Sequence, residues 1–313
     1  MNWVSSPHRL VAVTLMAVLA FAWASADQAD AKAARQRAAQ TQQKRPIHGS
    51  DYKPPYAAIV VDDKSGQVLH ELYADEPRHP ASLTKIMTLY LLFEQLEAGK
   101  LKLDTPLPIS SVAAIQRPTK LGLKPNQTLK VEDAIMGLVT KSANDAAVVV
   151  AEGIAGSEAE FAVLMTRKAK ALGMASTLYV NASGLPAEEQ ITTARDQAIL
   201  GRAIQTRFPN YYRYFATPSF RYRGIEMRNH NGLLGNVKGV DGIKTGYTEA
   251  SGYNLVSSVW RNERHIVAVV LGGTSNSQRD ARMRQLIEEF IMQASTQRTA
   301  PMIMEAVEAG NAE

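Results

Sequence analysis

The sequence predicts an α+β domain, with one antiparallel sheet shared by strands from both ends of the chain, helices packed on it, and a helical insert between. Three observations carry this. Runs rich in β-formers, separated by turn residues, occur near the start and again in the last third, with helical patterning between them and one more helix after. The 313 residues are 45% hydrophobic and 21% charged, an ordinary globular composition that can fill a sizeable core. No internal repeat breaks the order.

Residues 56–62 and 67–73 read as a hairpin, because Asp63-Lys64-Ser65-Gly66 supplies turn residues between them. Pro80 suits a helix entrance, and residues 86–96 are apolar on nearly every side, so that helix is expected deep in the core. Residues 131–139, 143–155 and 158–172 read as helices, residues 181–186 as a turn, and residues 193–196 as the opening of a helix that runs through Ile204. Strands are expected at 240–245, 253–261 and 265–271, with Asn262-Glu263-Arg264 turning between the last two. An amphipathic helix over 279–292 closes the fold.

The ends read differently. Arg9, an apolar run over residues 10–23 and Ala24-Ser25-Ala26 make residues 1–26 an export signal, cleaved before Asp27. The apolar run falls short of the roughly 20 residues that span a bilayer; the alternative is an uncleaved signal anchor. Either way the body is expected outside the cytoplasm, in the periplasm. Residues 27–48 are rich in Ala and Gln and read as a mobile linker, residues 49–293 as the catalytic body, and residues 294–313 as a short tail.

Composition excludes several chemistries. With no cysteine there is no disulfide, thiol nucleophile or Cys-ligated metal. No two of the six histidines stand four apart, so no metal or other cofactor is expected. The net charge of +5 is concentrated in the leader and linker, where Arg9, Lys32, Arg35, Arg37, Lys44 and Arg45 face Asp27 and Asp30. The body is nearly neutral, which gives no footprint for nucleic acid.

Three short motifs remain. Ser82-Leu83-Thr84-Lys85 fits S-x-x-K, Ser142-Ala143-Asn144 fits S-x-N, and Lys244-Thr245-Gly246 fits K-T-G, in that order along the chain. Each alone is weak, since Ser82 and Ser142 could simply cap helices. Their expected contexts, two helix starts and a strand end, make the combination specific. A serine hydroxyl needs a base before it attacks. Three residues along a helix puts Lys85 on the face of Ser82. Lysine serves as a base when burial and a second cation lower its pKa; the core helix supplies the first and Lys244 the second. A helix N-terminus at Ser82 also offers N–H groups to an oxyanion.

Residues 78–88 and 240–253 resemble the serine D-alanyl-D-alanine carboxypeptidases, the low-molecular-mass penicillin-binding proteins. So do residues 141–147, Asn181-Ala182-Ser183-Gly184-Leu185 and Thr193-Ala194-Arg195-Asp196, and the similarity runs from about residue 56 to residue 290. The resemblance implies the β-lactamase/DD-peptidase-like fold. It implies that Ser82 attacks the carbonyl between two terminal D-alanines of a peptidoglycan stem peptide, with Lys85 as base. Ser142 relays a proton to the leaving amine, Lys244 holds the charge pattern, and Asn144 orients Lys85 and the substrate amide. Backbone N–H groups of Ser82 and Tyr247 form the oxyanion hole. The strand carrying Thr245 and Gly246 pairs with the substrate, Thr245 bonds its carboxylate, and Arg279 either pairs with that carboxylate or is a solvated helix-start residue.

β-Lactams are the implied covalent inhibitors. No E-x-x-L-N follows in the middle region to speed deacylation, so a long-lived adduct is expected. Tyr247 stands where better-known members have histidine. Those members often carry a further C-terminal domain and a terminal membrane helix, whereas residues 300–313 lack the basic face such an anchor needs, so no C-terminal membrane anchor is expected. The competing readings are a D,D-endopeptidase of the same family, a β-lactamase or esterase on the same scaffold, and a non-catalytic wall-binding module.

Overall fold

The computed structural model describes residues 53–303. The expected export signal, the linker and residues 304–313 of the tail lie outside them. In chain order, β1 (Ala57–Asp62) and β2 (Val68–Leu72) form the N-terminal hairpin, and α1 (Thr84–Glu97) follows. The insert holds β3 (Pro106–Pro108), α2 (Ser111–Ala114), β4 (Thr128–Lys130), α3 (Val131–Met136), α4 (Asn144–Ala155), α5 (Glu158–Ala171), α6 (Ala194–Arg207), α7 (Pro209–Tyr212), β5 (Ser219–Tyr222) and β6 (Ile225–Arg228). Then come β7 (Val240–Thr248), β8 (Gly252–Arg261), β9 (Arg264–Gly273) and α8 (Asn276–Phe290).

The main sheet has the order β2-β1-β9-β8-β7, antiparallel throughout, so the two ends of the domain do share it. Strand alternation divides its apolar side chains between two layers. Ala57, Ile59, Val61, Val256, Val267 and Val269 face the helical insert, where α1 and α4 are buried. Ala58, Val60, Leu255, Ile266, Ala268 and Val270 face Met283, Leu286, Ile287 and Phe290 of α8. β1 and β9 are buried on both faces, as central strands between two helical layers must be. β7 ends the sheet among the described residues.

Four local expectations need correction. Ser82 does not open α1: it lies in a 3-10 turn, Ala81–Leu83, because Ala81 takes φ +48° and turns the chain before the helix begins. Ser142 is not at a helix start either. The helix expected over 131–139 breaks into α3 and a π turn, Gly137–Lys141, which Ser142 closes in the left-handed conformation (φ +59°) before α4 begins at Asn144. Lys244-Thr245-Gly246 lies inside β7, since pairing with β8 continues to Thr248 opposite Gly252. α8 starts at Asn276, capped by the Ser275 hydroxyl, which accepts from Gln278 N. Two small two-stranded sheets, β3–β4 and β5–β6, escaped the periodicity because their strands have three or four residues. No helix among the described residues is long and apolar enough to cross a membrane.

Candidate active site

The segment before α1 is fixed from both sides. Asn254 on β8 is buried; its side-chain amide donates to the carbonyls of His79 (3.0 Å) and Pro80 (3.2 Å), and its oxygen accepts from Gly272 N (3.0 Å). Gly246 on β7 comes so close that a Cβ there would sit 3.0 Å from Ser82 N and 3.1 Å from the Pro80 carbonyl. Gly184 closes in from the opposite side; with φ +81°, its Cβ would fall 1.9 Å from the Ala81 carbonyl. Ser82 is thus held between a strand edge and the 181–185 loop by contacts that admit no side chain.

Lys85, the second residue of α1, is fully buried. Its Nζ stands 3.1 Å from Ser82 Oγ and donates to Asn144 Oδ1 at 2.8 Å and to the Ser183 carbonyl. A neutral amine has two N–H bonds and one lone pair. As an ammonium, Lys85 donates to Ser82, Asn144 and Ser183 together; losing the proton on the Ser82 side leaves a lone pair there, with the other two hydrogens on Asn144 and Ser183. Burial pushes the Lys85 pKa well below its ordinary value, and the Lys244 cation pushes the same way.

The S-x-N loop is locked by its surroundings. Asn144 N donates to the Thr119 carbonyl (2.7 Å), Asn144 Nδ2 to the Arg117 carbonyl (2.9 Å), and Thr119 Oγ1 to the Ser142 carbonyl (2.9 Å). Asp145, fully buried, accepts from the amides of Leu121, Gly122 and Leu123, which draws the 117–123 loop over the site. Ser142 Oγ is buried yet unpartnered among the described residues. A buried hydroxyl without a partner is costly, and here it borders the cavity beside Ser82.

That cavity holds about 490 Å³. Ser82, Ser142, Asn144, Thr245, Gly246, Tyr247 and Arg279 all line it. Lys85 and Lys244 lie buried at 0% and 2% exposure. All nine residues singled out in the sequence therefore belong to one constellation. Arg279 is 3% exposed and not a solvated surface residue; its guanidinium donates from Nε and Nη2 to Asp280 Oδ1. Burial and the neighbouring Arg279 lower the Lys244 pKa to about 7. His230 also lines the cavity; partial burial and the cations Lys244, Lys141, Lys85 and Arg279 pull it to about 4, so the imidazole is neutral at pH 7. Sequence reasoning passed over His230, Thr119, Gly184 and Asn276. Only Gly184 carried a signal, inside a family-like string; the others reach the cavity through tertiary contacts alone.

A serine–histidine–aspartate row lies elsewhere. Ser258 Oγ is 3.0 Å from His265 Nε2, and His265 Nδ1 is 3.1 Å from Asp63 Oδ2. All three are at most 3% exposed, and Ser258 donates its proton to Gln205 Oε1. With its hydroxyl proton engaged and no solvent access, this row is a structural network.

The sequence profile of the family described as D-alanyl-D-alanine carboxypeptidase matches residues 48–275. The chain is 39% identical over 236 residues to D-alanyl-D-alanine carboxypeptidase DacA of Escherichia coli, covering 73% of this chain and 59% of that one. It is 31% identical to the D-alanyl-D-alanine endopeptidase of Pseudomonas aeruginosa, covering 69% and 70%. Among solved structures it is similar to penicillin binding protein 5 from Haemophilus influenzae, with TM-score 0.73 and 31% identity over 77% of this chain and 72% of that one. The chain spans about three-fifths of the length of the first curated relatives it matches.

Proposed function

The chain belongs to the D-alanyl-D-alanine carboxypeptidase family, and we propose that its body is a serine-type carboxypeptidase that removes the terminal D-alanine from peptidoglycan stem pentapeptides. The observation that carries this reading is the buried Lys85 Nζ, held by Asn144 and Ser183 at 3.1 Å from Ser82 Oγ.

The substrate adds to the outer edge of β7 as a further antiparallel strand. Its terminal carboxylate meets Thr245 and the cations Lys244 and Arg279, with Arg279 turning from Asp280 to bind it bidentately. Its penultimate carbonyl sits between Ser82 Oγ and the N–H groups of Ser82 and Tyr247. Ser82 Oγ attacks as its proton passes to Lys85, and the two N–H groups hold the oxyanion. On collapse the C–N bond breaks and the amine of D-alanine takes a proton through Ser142, whose hydroxyl is otherwise unpartnered. Water then attacks the Ser82 ester, returns its proton through Lys85, and frees the shortened peptide. Tyr247 contributes backbone to this chemistry, so its side chain in place of histidine leaves the oxyanion contact intact.

A β-lactam presents the same carbonyl and carboxylate and acylates Ser82. We place the enzyme in the periplasm, with residues 1–26 as export signal, residues 27–48 as linker and residues 49–293 as catalytic body. The Pseudomonas relative supports a second reading, cleavage of cross-links between stem peptides. Chromatography of products separates the two. Trimming releases free D-alanine from a pentapeptide, while the second reading gives monomers from a cross-linked dimer and leaves the pentapeptide whole.

A further inference from the structure

A carboxylate in the first turn of a helix is ordinarily a surface charge facing the helix dipole. Glu158, the first residue of α5, is instead turned inward and half-buried; the capping of α5 falls to Ser157, whose hydroxyl accepts from Glu160 N. Glu158 Oε1 accepts from Ala182 N at 2.9 Å. The Ala182 carbonyl accepts from Thr88 Oγ1 at 2.7 Å, one turn of α1 beyond Lys85. Ser183, next in the chain, gives its carbonyl to Lys85 Nζ, and Gly184 presses on the Ala81 carbonyl. Three consecutive residues thus join Glu158 to the base and to the backbone of the nucleophile.

We propose that Glu158 is a positioning residue of the reaction: it fixes the Ala182–Gly184 strip and counter-charges the Lys85 ammonium that forms when Ser82 gives up its proton. This rests on the serine-acylation reading above. The charged groups facing Lys85 are Lys244 from β7, Asp145 from α4 and Glu158 from α5. Asp145 pulls on Lys85 more strongly and is itself tied to three loop amides, while Glu158 adds a second anion and is the one joined through Ala182 to the strip that holds Lys85. Glu158 in turn faces Glu152 of α4, which with burial raises its pKa, and Lys85, which lowers it. When the proton moves from Ser82 Oγ to Lys85 Nζ, the new cation gains a fixed anion within the protein. Glu158 itself neither gives nor takes a proton.

Two variants separate charge from position. Glu158→Gln keeps an oxygen for Ala182 N–H and removes the charge; Glu158→Ala removes both. The readout is the pH profile of the second-order rate of Ser82 acylation by benzylpenicillin. Without the carboxylate the Lys85 ammonium is less stabilised, so the acid limb of Glu158→Gln moves to lower pH by about one unit, the size of a nearby-charge effect. Its plateau falls as the base weakens. Glu158→Ala shows the same shift and a lower plateau still. The position of the limb does not depend on the fraction of active protein, so partial unfolding cannot mimic the shift. A Glu158→Gln limb that coincides with the wild type, or moves to higher pH, overturns the inference even if Glu158→Ala is slow. A wild type that forms no Ser82 adduct overturns the serine reading and this inference with it.

Discussion

In the proposed reaction Lys85 can serve as a base because its surroundings disfavour its charge. Lysine costs several kcal/mol to bury as a cation, and here burial and Lys244 both oppose the charge. The competent form is the free base, present above the lowered pKa and lost as pH falls through it. The proposed role of Lys244 is the opposite, to meet a carboxylate as a cation, and its pKa of about 7 means that this charge is lost on the alkaline side. The kcat/KM of the free enzyme should therefore be bell-shaped, with Lys85 setting the acid limb and Lys244 the alkaline limb; a pH series on a D-Ala-D-Ala peptide checks it. Lys85→Met should fold and lose acylation by about 10²–10⁴-fold, as loss of a positioned base does. Arg279→Ala removes a charge-assisted contact of about 1.5–3 kcal/mol and should lower kcat/KM by roughly ten- to a hundredfold. The paired Ser82 and Lys85 were legible in the sequence because their spacing is one helical turn. Ser142 was legible as a type but not as a conformation, since nothing in residues 137–142 announces a π turn that ends left-handed.

At the scale of elements, the site depends on how closely β7, β8 and the 181–185 loop approach the turn that carries Ser82. Gly246→Ala puts a methyl 3.0 Å from Ser82 N, so the oxyanion donor must shift by a few tenths of an ångström. Acylation should fall by about tenfold or more, because small misplacements at the reacting centre are costly, while the thermal midpoint barely moves. Asn254→Ala acts differently. It orphans the buried carbonyls of His79 and Pro80 and the N–H of Gly272, at about 1–3 kcal/mol for each group that water cannot reach, and urea unfolding should show the loss. Asn254 reads in the sequence as an ordinary strand residue. Its role comes from partners that stand 175 and 174 positions away, which no local pattern encodes. The strand carrying the third motif was legible, but its length was not, because Gly246 interrupts the β-branched pattern that marked its start.

Among the described residues, the first and last segments of the domain meet. The segment after α8 returns to the β1–β2 turn, where Ser295 N donates to Asp62 Oδ2 and Thr299 N and Ala300 N donate to the Lys64 carbonyl. Asp63 beside it meets Arg202, Arg298 and His265. Burial would raise its carboxyl, but these partners outweigh burial and hold it far below its ordinary value of 3.8. The stability it adds is therefore present above 3.8 and lost only as pH falls below that value towards the lowered pKa. Asp63→Asn removes the buried anion that Arg202 and Arg298 share and should cost more than Arg298→Ala at the partly exposed rim; unfolding midpoints of the two variants compare them. The α+β order was readable from periodicity alone, since both hairpins are local. The joining of β1 to β9 was inferable only because two half-sheets with apolar faces must meet. The central claim, that the three motifs form one acylating site, is tested most directly by mass spectrometry of the folded protein after benzylpenicillin, with the modified peptide sequenced. One penicilloyl group is expected, on Ser82, absent from Ser82→Ala and suppressed in Lys85→Met. An adduct on another residue, or an unmodified Ser82 after prolonged exposure, would contradict it.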